Sequence, residues 1–175
     1  MQNDTEALNR LYLLSLSHII SKAVTLAAKI RLDQYLSIEP VDITVIAKQF
    51  NFDPQAMYRF LRLLDIYEIV KLSDNKQVTA GKLLPYLDRI LSPHILDSYQ
   101  FIENLDSTLQ NNQACYANTF GLDFYPHLLK NPEKLEQFKI WCTKSAHDWL
   151  SYVDTLYDFT KFNTIVDVGG GEGNF

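Results

Sequence analysis

"ITVIAKQFNFDPQAMYRFLRLLDIYEIVKLSDNKQVTA", Ile43 to Ala80, carries its own punctuation. Asp42 or Thr44 can cap a helix that runs to Phe50, and Asn51-Phe52-Asp53-Pro54 then turns the chain. Asp53 stands as N-cap, with Pro54 in the first helical position, where a missing N–H breaks no bond. The helix that follows places Met57, Phe60, Leu61 and Leu64 on one face at the i, i+3, i+4, i+7 spacing. Leu63 and Ile66 widen that face, and Asp65 is expected in solvent. "EIVKL" reads as a strand, "SDNK" as a turn and "QVTA" as the return strand. Helix, turn, helix and hairpin make a winged-helix arrangement.

Upstream, Thr5 to about Ile30 has helical periodicity, with Leu8, Leu11, Tyr12, Ile19, Ala23, Leu26, Ala27 and Ile30 at spacings of three and four. Leu13, Leu14, Leu16, Ile20 and Val24 spread that stripe round most of the cylinder, the mark of a helix covered from several sides. In 175 residues a second subunit is the natural cover, so a homodimer through the N-terminal helices is expected. A short helix ends near Leu36, before a turn at Glu39-Pro40. Downstream, Pro93 to Leu109 and Pro126 to Tyr157 read as helices, with "QNNQACYANTFG" between them as an exposed connector.

Composition narrows the function. With 47% hydrophobic and 21% charged residues the chain can bury a core. A net charge of −5 argues against a surface that neutralises nucleic-acid or lipid phosphates. From Asp42 to Lys82 six bases face five acids, so the winged helix nets only +1. Its second helix offers Arg59 and Arg62 on an otherwise apolar segment, poorly suited to gripping a DNA backbone. A DNA-binding regulator and a ligand-sensing interaction module remain the alternatives. Cys115 and Cys142 form no CxxC pair and are expected as reduced thiols, and no metal site is expected. "MQNDTEALNR" lacks the pattern of a signal peptide, and "HIISKAVTLAAKI" is broken by Ser21, Lys22 and Thr25 and is short for a bilayer. A cytoplasmic protein with no membrane partner is expected.

"TIVDVGGGEGNF", Thr164 to Phe175, has the look of a buried strand running into a glycine corner. Closely spaced glycines let a ligand approach the backbone. A dinucleotide fingerprint needs G-x-G-x-x-G, and its last position falls on Asn174. An acid followed by G-x-G-x-G does fit, as Asp167, Gly169, Gly171 and Gly173, with Gly170 between them. That register favours S-adenosylmethionine over NAD.

At this point the chain resembles a family: the N-terminal half of small-molecule O-methyltransferases of the plant-caffeate and bacterial-polyketide type. The resemblance is carried by "AAKIRLDQYL", "ITVIAKQFNFDPQAMYRFLRLL", "VTAGKLL", "FGLDFYPHLLKNPEKLEQFKIWCTKSA" and, most strongly, "DFTKFNTIVDVGGGEG". It implies a mainly α fold in three parts. Residues 1–92 would form a helical, winged-helix dimerisation domain and 93–160 a helical connector. Residues 161–175 would supply the first strand and glycine loop of a truncated Rossmann-like α/β domain. It also implies S-adenosylmethionine as cofactor, held at Asp167, Gly169, Gly170, Gly171 and Gly173, and a small aromatic methyl acceptor. His18, Phe138 and Cys142 are the substrate-lining candidates it suggests. The family's ribose-binding acid and base histidine match no residue here, so no catalytic residue is assigned. The chain alone is then expected to be inactive and to bind the cofactor weakly. The sequence departs from the family at Asn51 and Tyr67-Glu68, where glycine is common, and at Cys142, where methionine is common.

Overall fold

The computed structural model describes residues 2–171 and Gly173, and the fold is mainly α. It divides into two units, residues 1–90 and 91–175.

The first unit opens with α1, Gln2–Lys29, and the four-residue α2, Leu32–Tyr35. Then come β1 (Val41–Asp42), α3 (Ile43–Gln49), α4 (Pro54–Ile66), β2 (Val70–Leu72) and β3 (Gln77–Ala80), closed by a 3-10 helix at Leu84–Ile90. The capping logic holds. Asp42, rather than Thr44, is the N-cap of α3, its Oδ1 accepting from Thr44 N at 2.8 Å. Asp53 Oδ1 accepts from Ala56 N at 2.8 Å, with Pro54 opening α4. The hairpin pairs Val70 with Ala80 and Leu72 with Val78. β1 adds a third, antiparallel strand, Val41 opposite Val78, to give the order β1-β3-β2. Met57, Leu61 and Leu64 of α4 are buried, as are Leu32, Ile46, Val70, Val78 and Leu84, all nearly inaccessible to solvent.

Two details of α4 depart from expectation. Asp65 is half-buried, and its Oδ1 accepts from Leu72 N at 3.2 Å, tying the helix to the hairpin. Ile66, expected to widen the buried face, is 72% exposed.

At two of the positions where the resembled family often has glycine the backbone is left-handed, whereas Tyr67 has an ordinary φ of −103°. Asn51 has φ +55° and Glu68 φ +56°, both left-handed. Asparagine tolerates that region; glutamate bears its full cost, about 1–2 kcal/mol. Glu68→Gly removes the strain but gives the unfolded chain more freedom. The net expectation is a gain of about 0.5–1 kcal/mol in urea unfolding.

Among its described residues, those of α1 that are buried lie at its C-terminal end. Thr25, Ala27 and Ala28 are buried, whereas Leu11, Tyr12, Leu13, Leu14, Leu16 and Ile19 are at least half exposed. By length and composition alone α1 is apolar enough to cross a membrane. The interrupted stretch that had argued against a span is only its C-terminal half.

The second unit is built from helices shorter than the sequence suggests. The expected Pro93–Leu109 helix breaks into α5 (Pro93–Leu96), α6 (Ser98–Phe101), a 3-10 turn (Ile102–Asn104) and α7 (Leu105–Asn111). The expected exposed connector contains α8, Cys115–Phe120, whose Tyr116 is 8% exposed. The expected Pro126–Tyr157 helix is two, α9 (Phe124–Leu129) and α10 (Pro132–Leu156), parted before Pro132. "TIVDV" forms no strand: it has no ladder partner among the described residues, and Ile165, Val166 and Val168 are exposed.

Candidate functional site

In the second unit α9, α10 and the glycine loop line a half-open cavity of about 410 Å³. From α10 come Leu135, Phe138, Lys139, Cys142 and Ala146, from α9 Tyr125, and from the loop Asp167, Gly169, Gly170 and Gly171. The helix residues fall at i, i+3, i+4, i+7 and i+11, one stripe of an α-helix. Four of the expected cofactor residues, Asp167, Gly169, Gly170 and Gly171, thus meet two expected acceptor-side residues, Phe138 and Cys142. Gly173 lies outside the lining, its N–H donating to Gly170 O at 2.8 Å. His18 belongs to the first unit, exposed on α1, with Nδ1 3.0 Å from Ser15 O.

The three glycines are required for two different reasons. Gly169 and Gly171 have φ of +83° and +58°, which side-chain-bearing residues rarely adopt. A Cβ at either would meet nothing within 4 Å, so the loop shows bare backbone. At Gly170 the reason is space, since a Cβ there would overlap the Asp167 carboxylate. Exposed N–H groups in a turn of this kind suit a polar or anionic ligand. A cofactor with an amino-acid end fits what is present: bare backbone, a carboxylate and an apolar wall.

Phe138 is held in place by other rings. Its centroid lies 5.1 Å from that of Phe124, 6.0 Å from Tyr125, 6.0 Å from Trp141 (nearly parallel) and 6.0 Å from His94. His94 also meets Trp141 edge-on at 4.3 Å and is hydrogen-bonded through Nδ1 to the buried Ser92 hydroxyl, 2.7 Å away. Burial among these rings holds His94 below the ordinary histidine pKa. The unfolded chain therefore takes up a proton that the folded ring resists. Stability is full above about pH 6.5, the unfolded value, and falls as pH drops below it toward the folded value. Urea unfolding followed from neutral to mildly acid pH should show this loss, and His94→Phe should lack it.

Lys134 of α10 also joins a partly buried ion pair. Asp97, 7% exposed, accepts from Lys134 Nζ of α10 at 2.7 Å, and Tyr116 Oη lies 3.5 Å away. Burial, and then the Asp97 charge, push the Tyr116 hydroxyl up to about 12, so it stays protonated and able to donate.

Tyr125, Leu135, Lys139 and Ala146 were not singled out in the sequence. The α10 stripe was the available signal. Among the described residues no histidine lines the cavity and no cluster suits a metal.

The chain is similar along nearly its whole length to O-methyltransferases. O-demethylpuromycin-O-methyltransferase of Streptomyces alboniger is 24% identical over 185 residues, covering 96% of this chain and 47% of that protein. Among solved structures, human N-acetylserotonin methyltransferase in complex with SAM has a TM-score of 0.81 at 16% identity, over 96% of this chain and 54% of its own. CalO1, a methyltransferase in calicheamicin biosynthesis with SAH bound, has a TM-score of 0.78 at 23% identity, over 98% and 54%. No protein-family model matches the chain. The chain spans about half the length of such curated relatives.

Proposed function

We propose, from a likeness that runs along almost the whole chain to the N-terminal half of O-methyltransferases, that this chain is the dimerising and acceptor-shaping part of such an enzyme. The reaction is transfer of a methyl group from S-adenosylmethionine to a hydroxyl of a small aromatic molecule. The observation that carries this is the meeting of Asp167 and the glycine loop with Phe138 and Cys142 around one cavity.

When bound, the cofactor supplies an electrophilic methyl on a sulfonium. Gly169, Gly170 and Gly171 would hold its amino-acid end against bare backbone, with Asp167 ordering the amino group. Phe138, fixed by Phe124 and Trp141, offers an aromatic acceptor a ring to pack on. Leu135 and Ala146 add apolar surface to the same wall. In-line transfer needs the two groups held together and the hydroxyl proton removed. The cavity supplies part of the holding. It brings in no histidine base, so this chain alone is proposed to be inactive.

The exposed α1 face is proposed to pair with a second copy. Its apolar residues run on to a small groove of about 180 Å³ lined by Leu26, Phe52, Ala56, Met57 and Phe60, with Asp53 at its side. Arg10, His18 and Lys22 interrupt the face, which disfavours lipid and is tolerated beside another protein helix.

Calorimetric titration with S-adenosylmethionine tests the division of labour. Binding weaker than micromolar with no methyl transfer to simple phenols is expected. Micromolar binding or turnover by this chain would overturn it.

A further inference from the structure

We propose that the winged helix carries a second site, which takes the phosphate group of a small phosphomonoester. Between the start of α3, the outer face of α4 and the turn of the hairpin lies a half-open cavity of about 400 Å³, wholly within the first unit. Its polar lining is Asp42, Thr44, Gln55, Tyr58, Arg59 and Lys76.

The helix pattern gathers these groups. Met57, Leu61 and Leu64 take the buried side of α4, which leaves Gln55, Tyr58, Arg59 and Arg62, at i, i+3, i+4 and i+7, on the side away from the core. The hairpin turn is tied to the start of α3, where Ile43 N donates to Lys76 O at 3.2 Å. Lys76 Nζ lies 5.9 Å from the centre of the Tyr58 ring, and Arg62 Cζ lies 5.7 Å from the same centre. Two cations thus gather on one ring that lines the cavity, and Arg59 adds a third charge one residue along. The acid in the lining is already engaged. Asp42 Oδ1 accepts from Thr44 N at 2.8 Å and Oδ2 from Gln77 Nε2 at 3.2 Å. The bonds from Thr44 first, and the charge of Lys76 after them, hold Asp42 below the ordinary carboxylate pKa. Among the described residues the side chains of Gln55 and Arg59 have no hydrogen-bond or ion-pair partner.

A phosphate dianion suits this set. A guanidinium presents a planar fork that matches two phosphate oxygens, and an ammonium and an amide add further donors. Three cations fall short of the about six to ten phosphate contacts of a nucleic-acid binder, and a cavity of this volume takes a small molecule. The net charge of −5 does not oppose this, because the excess of cations is local and a single phosphate is enough to meet it.

Amide-resolved NMR titration of the full chain at constant ionic strength, with phenyl phosphate above its second pKa of about 6, tests the site. Shifts at the amides of Thr44, Tyr58 and Lys76 should saturate with a Kd of about 1 mM, as fits an exposed site. Phenyl sulfate, alike in shape but with one charge fewer, should bind about tenfold more weakly. Arg59→Gln and Lys76→Gln should each weaken phenyl phosphate about tenfold, and both replace exposed side chains, so the remaining amides should not move. Shifts no larger than chloride gives at the same ionic strength, or an affinity unchanged in the Arg59→Gln, Lys76→Gln double variant, overturn the site. A short DNA duplex that moves the same amides at lower concentration than phenyl phosphate overturns it in favour of nucleic acid.

Discussion

Lys134→Met should cost the second unit about 3 kcal/mol of stability, measured by urea unfolding. The size follows from what is left behind. Asp97 is 7% exposed, and its Oδ2 accepts from Lys134 Nζ at 2.7 Å. With the ammonium gone, the side-chain donor left to it among the described residues is the Tyr116 hydroxyl at 3.5 Å, too long to compensate a buried carboxylate. The lysine is one-third exposed, so water reaches part of the site and the cost sits at the lower end for a broken buried pair. Lys134 also lies over the Phe120 ring at 5.4 Å, a contact worth about 0.5–1 kcal/mol within that total. Replacing both partners, Asp97→Leu with Lys134→Met, should recover most of the loss, because no charge is then stranded. A single-variant cost below about 1 kcal/mol would show the pair to be solvated.

Leu11→Glu with Leu14→Glu should weaken self-association by about a thousandfold, with little change in helix content. Each leucine in an interface contributes about 1.5–3 kcal/mol, and a buried carboxylate adds a desolvation cost. About 4 kcal/mol in total corresponds to that factor. Leu11 is 60% and Leu14 63% exposed in the single chain, so the substitutions disturb no intrachain core. Glutamate is also a good helix former, which keeps α1 intact. Sedimentation of the double variant across a concentration series is the check.

The elements most legible in the sequence were those with local chemistry. Asp53 and Pro54 announced α4 through capping, and the Val70–Ala80 hairpin announced itself through alternation and "SDNK". β1 was invisible because two residues have no periodicity; only the pairing of Val41 with Val78 creates it. α8 was hidden by polar neighbours. Tyr116 is buried by rings from other elements, Phe101, Phe124 and His127, which no local pattern encodes. "TIVDV" has strand composition, but a strand is made by its neighbours, and the described residues supply none. At the cavity the glycine register could be read directly, whereas Phe138 and Cys142 came only from resemblance. Lys139 had no signal, since one lysine on a helix reads as a solvated face until the opposite wall is known.

The proposed pairing of two copies through α1 is the claim on which the account rests, because it would give the exposed leucines of the first unit their cover. Sedimentation equilibrium of the unaltered chain at micromolar concentration tests it most directly. The prediction is a mass of twice 20.2 kDa that falls to the single value in the Leu11→Glu, Leu14→Glu variant. A mass of 20.2 kDa for the unaltered chain, held up to its solubility limit, would contradict it.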